Sequence, residues 1–171
     1  MTIKKLIAKA AQKLEGKFQK YETKLKAGDD APEIKGILQD GSTFDAKSIK
    51  GKKVVLYFYP KDSTAGCTAQ ACSLRDNYIY MKKQGYEVIG VSADSVEKHK
   101  KFIAKYDLPF PLIADENLEL IKAYDVWGKK QFMGKVYDGI LRTTFVINEK
   151  GKIEEVISKV DTGEHASQIM K

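Results

Sequence analysis

The chain has 171 residues, 43% of them hydrophobic and 31% charged; that is the balance of one ordinary globular domain with a sizeable core, and no apolar run reaches the roughly 20 residues a bilayer-spanning helix needs. Two cysteines are too few for a disulfide-stapled secreted scaffold and no secretory h-region precedes them, so a reducing, cytoplasmic setting is expected, with any disulfide transient and functional. Of the net charge of +7, six units belong to residues 1–26, where eight lysines face two glutamates; the rest is nearly neutral, which excludes a nucleic-acid-binding core.

Residues 1–26 read as a lysine-rich helical extension, because Ile3, Leu6, Ile7, Ala10, Leu14, Phe18, Tyr21 and Leu25 are spaced for one helical face. Such a stripe is ordinarily buried against its own domain or a partner. The alternative is a helix lying on an anionic membrane surface, and the first reading takes precedence. Gly28-Asp29-Asp30-Ala31-Pro32 breaks the helix, so a second unit is expected over residues 27–171.

From there the chain alternates. Ile34–Leu38 and Thr43-Phe44 read as short strands around the turn at Gln39–Ser42. Val54–Tyr59 is a buried strand, Cys67 to about Lys83 a helix closed by Gly85, and Tyr86–Ser92 a second buried strand. Ser95 caps a helix running to about Tyr106, ended by Asp107-Leu108-Pro109. Pro111–Asp115 is a short strand and Leu118 to about Tyr124 a short helix. Leu141–Ile147 and Ile153–Lys159 form a hairpin around Asn148–Lys152, and a closing helix starts at Gly163. Buried strands alternating with helices predict an α/β sheet with a parallel core, the late hairpin adding antiparallel strands at its edge.

Both cysteines lie just beyond the first buried strand, in Pro60-Lys61-Asp62-Ser63-Thr64-Ala65-Gly66-Cys67-Thr68-Ala69-Gln70-Ala71-Cys72. Two cysteines in an α/β domain are by default inert core residues. Placement argues for chemistry: Cys67 follows a loop of small residues at the C-terminal end of a strand, where open α/β sheets bind ligands. In the first turn of a helix it also meets free backbone N–H groups and the positive end of the macrodipole, which favour thiolate over thiol. Residues five apart in a continuous helix have Cα atoms roughly 8–9 Å apart, whereas a disulfide needs less than about 7 Å. Cys67 and Cys72 cannot bond while such a helix is intact. A structural zinc site wants four Cys or His ligands, and only His99 and His165 remain, without partner spacing; His99, amid Val96-Glu97-Lys98-His99-Lys100-Lys101, reads as a surface residue. Thioredoxin-type exchange would want Cys-x-x-Cys, which is absent.

Pro60, Thr64 and Cys67 match the P-x-x-x-T-x-x-C signature of the peroxiredoxins, and a second cysteine five positions later is the mark of the bacterioferritin comigratory protein, or Q-type, branch. The chain also resembles that family in order at Lys26–Pro32, Val88–Ser92, Lys105–Leu112, Trp127-Gly128, Gly139–Ile147 and His165-Ala166. The resemblance implies a thioredoxin-like fold with a central mixed β-sheet flanked by helices. It implies a thiol peroxidase acting on hydrogen peroxide and organic hydroperoxides, monomeric and without cofactor or metal. Cys67 would be the peroxidatic cysteine and Cys72 the resolving one, closing an intramolecular disulfide that thioredoxin or a similar dithiol protein reduces. Thr64 would offer its hydroxyl to the thiolate and peroxide, Pro60 would shape the pocket, and Arg142 would hold the sulfur ionised and polarise the peroxide.

Each role has a plainer counterpart. Thr64 suits a helix cap, Pro60 suits a strand end, and Arg142 could be an ion pair, although an unpaired guanidinium among Ile140, Leu141, Phe145 and Val146 would be costly. A non-enzymatic peroxide-sensing thiol switch is the alternative function. The chain departs from the branch at Ala65, where proline is common, and at Gln70, where glutamate is frequent.

Overall fold

A computed structural model describes residues 2–15 and 18–171, the side chains of 10–15 excepted. Helix α1 (Ile3–Glu15) is shorter than its apolar spacing predicts. Residues 18–25 form a non-helical strap instead. Tyr21 donates its hydroxyl to Asp125, 2.7–2.8 Å from the two carboxylate oxygens. The Thr23 hydroxyl donates to the Tyr124 carbonyl at 2.9 Å, and the Lys24 N–H to Asp125 at 2.7 Å. These tertiary bonds, with Tyr21 and Leu25 packed on the core, outweigh a local helical pattern, which is only a weak determinant. The helix differs from expectation in a second way: Ile3, Leu6 and Ile7 are 75%, 53% and 63% exposed, so this stretch is not packed on its own domain. Ala10 and Leu14, assigned to the same face, lie outside the described side chains.

The remaining elements follow in order: β1 (Ile37–Leu38), β2 (Lys53–Phe58), α2 (Ala65–Asp76), α3 (Tyr78–Lys83), β3 (Tyr86–Ser92), α4 (Val96–Tyr106), β4 (Leu112–Ala114), α5 (Glu119–Ala123), β5 (Trp127–Phe132), β6 (Lys135–Ile140), β7 (Thr143–Ile147), β8 (Ile153–Ile157) and α6 (His165–Ile169). The main sheet has the order β1-β4-β3-β2-β7-β8. Strands β2, β3 and β4 run parallel, while β7 pairs antiparallel with β2, and β8 with β7. This is the mixed sheet of a thioredoxin-like fold.

Strand β2 is central and buried on both faces, so its β-branched and aromatic residues alternate between two cores. Val54, Leu56 and Phe58 pack with Tyr124, Val126, Ile140 and the strap on one side. Val55, Tyr57 and Tyr59 pack with Cys67, Ala71, Leu74 and Phe102 under α2 and α4 on the other. Gly90 of β3 makes room there, since a Cβ would lie 2.6 Å from Leu112 and 2.8 Å from the Tyr57 ring.

Three local readings are corrected. The helix predicted over residues 67–83 breaks at Asn77 (φ −107°, ψ 5°), whose side-chain amide donates to the Ser73 carbonyl at 2.8 Å, a local competitor of helix bonding. Arg142 lies in the junction between β6 and β7 rather than inside a strand. Finally, β5 and β6 form a separate hairpin that pattern reading leaves unassigned. Its turn places Met133 (φ 49°) and Gly134 (φ 80°) both at positive φ, the geometry usually announced by Asn-Gly.

Candidate active site

The site is built where β2 gives way to α2. Thr64, extended at φ −84° and ψ 156°, is the N-cap residue of α2, which puts Cys67 in the first helical turn, where backbone N–H groups lack helix partners. Cys67 is buried and Cys72 half-buried, and both are free thiols.

Arg142 reaches over this turn from the same end of the sheet, since Thr143, the residue after it, pairs with Phe58 at the end of β2. One guanidinium nitrogen, Nη2, donates to Cys67 Sγ at 3.3 Å. The other, Nη1, donates to Gln70 Oε1 at 2.6 Å. Gln70 is fully buried one turn beyond Cys67, so α2 supplies both the sulfur and the acceptor that aims the cation at it. Gly66 leaves the space, a Cβ there lying 3.3 Å from Nη2. A second cation stands close by. Lys130 donates to the Ile140 carbonyl at 2.8 Å, and its ammonium is held below the usual lysine range by burial, then by the nearby Arg142 and Lys20. Helix N-terminus, guanidinium and lysine all complement negative charge on the sulfur.

The loop before Cys67 is pinned from below. Asp62 accepts the Tyr59 hydroxyl at 2.5 Å, and its backbone N–H donates to Asp94 at 2.8 Å. His99 Nδ1 lies 2.6 Å from the second Asp62 oxygen, and Nε2 lies 3.0 Å from the Ile113 carbonyl. The surface reading of His99 is therefore overturned, for it is fully buried. Its charged sequence neighbours lie on other faces of α4, while His99 and Phe102, three residues apart, share the inward one. Asp62, Asp94 and His99 have potential ligand atoms within 4.8 Å of one another. Both imidazole nitrogens are already matched to oxygens, so the geometry reads as a loop anchor. Burial against Tyr57 and Asp62 drives the Tyr59 phenol well above its ordinary range, desolvation first.

The predicted residues fare differently. Cys67 and Arg142 are brought together. Thr64 is beside them in sequence, but its hydroxyl donates to the Lys61 carbonyl at 2.9 Å and makes neither a cap bond nor a bond to sulfur. Pro60 is half-buried at the start of the same loop. Cys72 sits on the same unbroken helix as Cys67, so the two sulfurs are kept apart as the spacing requires. His165 enters from α6: it pairs with Thr144 and Gln168, both at 2.8 Å, beside an Ala166 N–H that donates to Ser73 of α2 at 3.2 Å. Sequence reasoning missed Gln70 as the partner of Arg142, the Tyr59–Asp62–His99 anchor and Lys130. A glutamine three residues after Cys67, on the same helical face, was the available signal for the first.

A sheet that presents a buried cysteine on a first helical turn, clasped by an arginine, defines a thiol-based oxidoreductase. Comparison with known proteins narrows this. The model of the AhpC/TSA family matches residues 27–156. Peroxiredoxin Bcp of Escherichia coli is 45% identical over 146 residues, covering 85% of this chain and 94% of the relative. Peroxiredoxin Bcp of Bacillus subtilis is 41% identical over 147 residues, covering 86% and 94%. Among solved structures, a PrxQ mutant of Xylella fastidiosa superposes with a TM-score of 0.80 at 29% identity, covering 87% of this chain and 95% of that one. Xanthomonas campestris peroxiredoxin Q gives 0.76 at 33% identity, covering 86% and 94%. The chain belongs to the AhpC/TSA family and is a peroxiredoxin of the Bcp, or Q, type.

Proposed function

We propose that the chain reduces hydroperoxides through Cys67 and resolves the product through Cys72. The thiolate attacks the outer peroxide oxygen, an S–O bond forms as the O–O bond breaks, and the departing oxygen is protonated to water or alcohol. The sulfenic acid on Cys67 is then attacked by the Cys72 thiolate, releasing water and leaving an intramolecular disulfide. A dithiol protein such as thioredoxin supplies two electrons and two protons to restore both thiols. The observation that carries this reading is the 3.3 Å contact from Arg142 Nη2 to Cys67 Sγ: a permanent cation both favours the nucleophile and faces the charge that develops on the leaving oxygen.

Thr64 joins the reaction by rotating its hydroxyl from the Lys61 carbonyl toward the incoming peroxide, and Pro60 closes the same side of the pocket. Resolution requires the start of α2 to unwind, since the helix holds the sulfurs apart. The whole cycle can be completed within one chain, as both cysteines belong to it, and the monomer is taken as the working unit.

The test is stopped-flow peroxide consumption with a dithiol reductant. Cys67→Ser is expected to abolish turnover, and Cys72→Ser to retain one sulfenate-forming event per chain without repeated turnover. Steady-state turnover by Cys67→Ser would sink the reading. A wild-type chain that oxidises once but is never recycled would instead identify a peroxide sensor.

A further inference from the structure

Two exposed apolar features have side chains that take no part in the peroxidase site, and both are flanked by lysines. On α1, Ile3, Leu6 and Ile7 face solvent, flanked by exposed Lys4, Lys5 and Lys9. At the tip of the β5–β6 hairpin, Phe132, Met133, Val136 and Tyr137 are exposed beside exposed Lys129 and Lys135. Together they make seven of the ten large exposed apolar side chains among the described residues. Single exposed apolar residues are unremarkable, but a concentration on two elements marks an interaction surface.

The segment that follows α1 in sequence packs on the hairpin. The hairpin register pairs Phe132 with Lys135, Lys130 with Tyr137 and Gly128 with Gly139, so Phe132, Lys130, Tyr137 and Gly128 share one face. That face receives the strap. The Tyr21 ring lies against Gly128, where a Cβ would be 3.0 Å away. Lys20 is near enough to Lys130 to contribute to lowering its ammonium, after burial and Arg142. The strap that follows α1 is thus rooted on the domain beside the hairpin.

Charge selects the occupant. Residues 1–26 hold eight lysines and no arginine. Protein interfaces are enriched in arginine and depleted in lysine, whereas lysine stems lie readily along an apolar face with their ammonium groups held out toward lipid phosphates. A fluid anionic surface also asks for no shape complement from a lysine-flanked stripe. We propose that α1 and the hairpin tip form a two-point attachment to an anionic lipid bilayer, the apolar side chains entering the headgroup boundary and the lysines meeting the phosphates. This attachment does not depend on the peroxidase reading.

The test is co-sedimentation of the full chain with phosphatidylcholine vesicles containing or lacking phosphatidylglycerol. Binding is expected only to the anionic vesicles, and weaker at high salt. Leu6→Gln/Ile7→Gln and Phe132→Ser/Tyr137→Ser are each expected to reduce bound protein at least about fivefold. The α1 pair lies outside the domain core, so it leaves hydrogen peroxide consumption in solution unchanged. Failure to sediment, equal binding to neutral vesicles, or variants that bind like the parent would overturn the proposal. So would a dimer of the lipid-free chain, seen by sedimentation velocity and dissolved by the same substitutions, because the surface would then be covered by a second copy.

Discussion

Arg142 divides its guanidinium between a sulfur and an amide oxygen, and that division decides how the residue should respond to substitution. Arg142→Gln removes the charge, the donor to Cys67 and the partner of Gln70 together. The single-turnover rate of sulfenate formation is expected to fall about 10²-fold, the scale seen when one preorganised donor is lost from a reacting centre; a loss below threefold would remove Arg142 from the chemistry. Gln70→Glu keeps the acceptor but adds a negative charge to the guanidinium, so a smaller, several-fold slowing is expected in the same stopped-flow measurement. At this scale the sequence was generous where a residue's chemistry is local. Cys67 announces itself by following a strand and a run of small residues, whereas Arg142 is singled out by the resemblance to the peroxiredoxins, its apolar neighbours only arguing against a solvated ion pair. His99 could not be read, because its role depends on Asp62 and Ile113, which only the tertiary fold brings within reach.

The element that must move is α2. Among the described residues, two of its buried polar atoms, Thr68 Oγ1 and Gln70 Nε2, lack a hydrogen-bond partner, and each such group costs about 1–3 kcal/mol when left unsatisfied. Their cost is relieved when the turn unwinds, which favours disulfide closure. Thr68→Val removes one of them at nearly constant volume and is expected to raise the stability of the dithiol form by about 1 kcal/mol. It should also slow conversion of sulfenate to disulfide, measured by mass spectrometry of quenched samples. In the parent protein, amides of residues 68–73 should exchange faster in the disulfide form than in the dithiol form; slower exchange would refute the unwinding step. Strands β2 and β3 and helix α4 were legible because continuous burial, the Ser95 cap and the period of the pattern agree. The β5–β6 hairpin was not. Its exposed strands lack a buried face to impose alternation, and methionine occupies a left-handed turn position ordinarily taken by Asn or Gly.

Across the whole molecule, stability should carry a histidine signature. Burial, reinforced by Arg142 and opposed by the Gln168 bond and Asp161, lowers His165 from its ordinary value of 6.5. Below 6.5 the unfolded chain takes up a proton that the folded chain still refuses, so unfolding is favoured as pH falls. The contribution is complete above about pH 6.5 and is lost progressively down to the lowered folded value. Urea titrations at a series of pH values should show the midpoint dropping through this window, and His165→Gln should flatten the drop. An unchanged slope in that variant would place the acid sensitivity elsewhere. The general architecture was read correctly from alternating strands and helices, but the course of residues 18–25 was not, since one carboxylate, Asp125, on the far side of the chain decides it.

The sheet also partitions labour between its faces. Cys67, Ala71 and Leu74, the residues disturbed by redox cycling, belong to the core on one side, whereas Tyr21, Trp127 and Ile140, which root the strap and hairpin, belong to the core on the other. Six hydrogen-bonded strands stand between these cores, so the loosening of α2 can reach the hairpin through the half-buried Lys130, which senses both Arg142 and Cys67, rather than through the packed interior. With only that lysine to carry the change, vesicle affinity should differ little between the dithiol and disulfide proteins, leaving a tethered enzyme in place through every catalytic cycle.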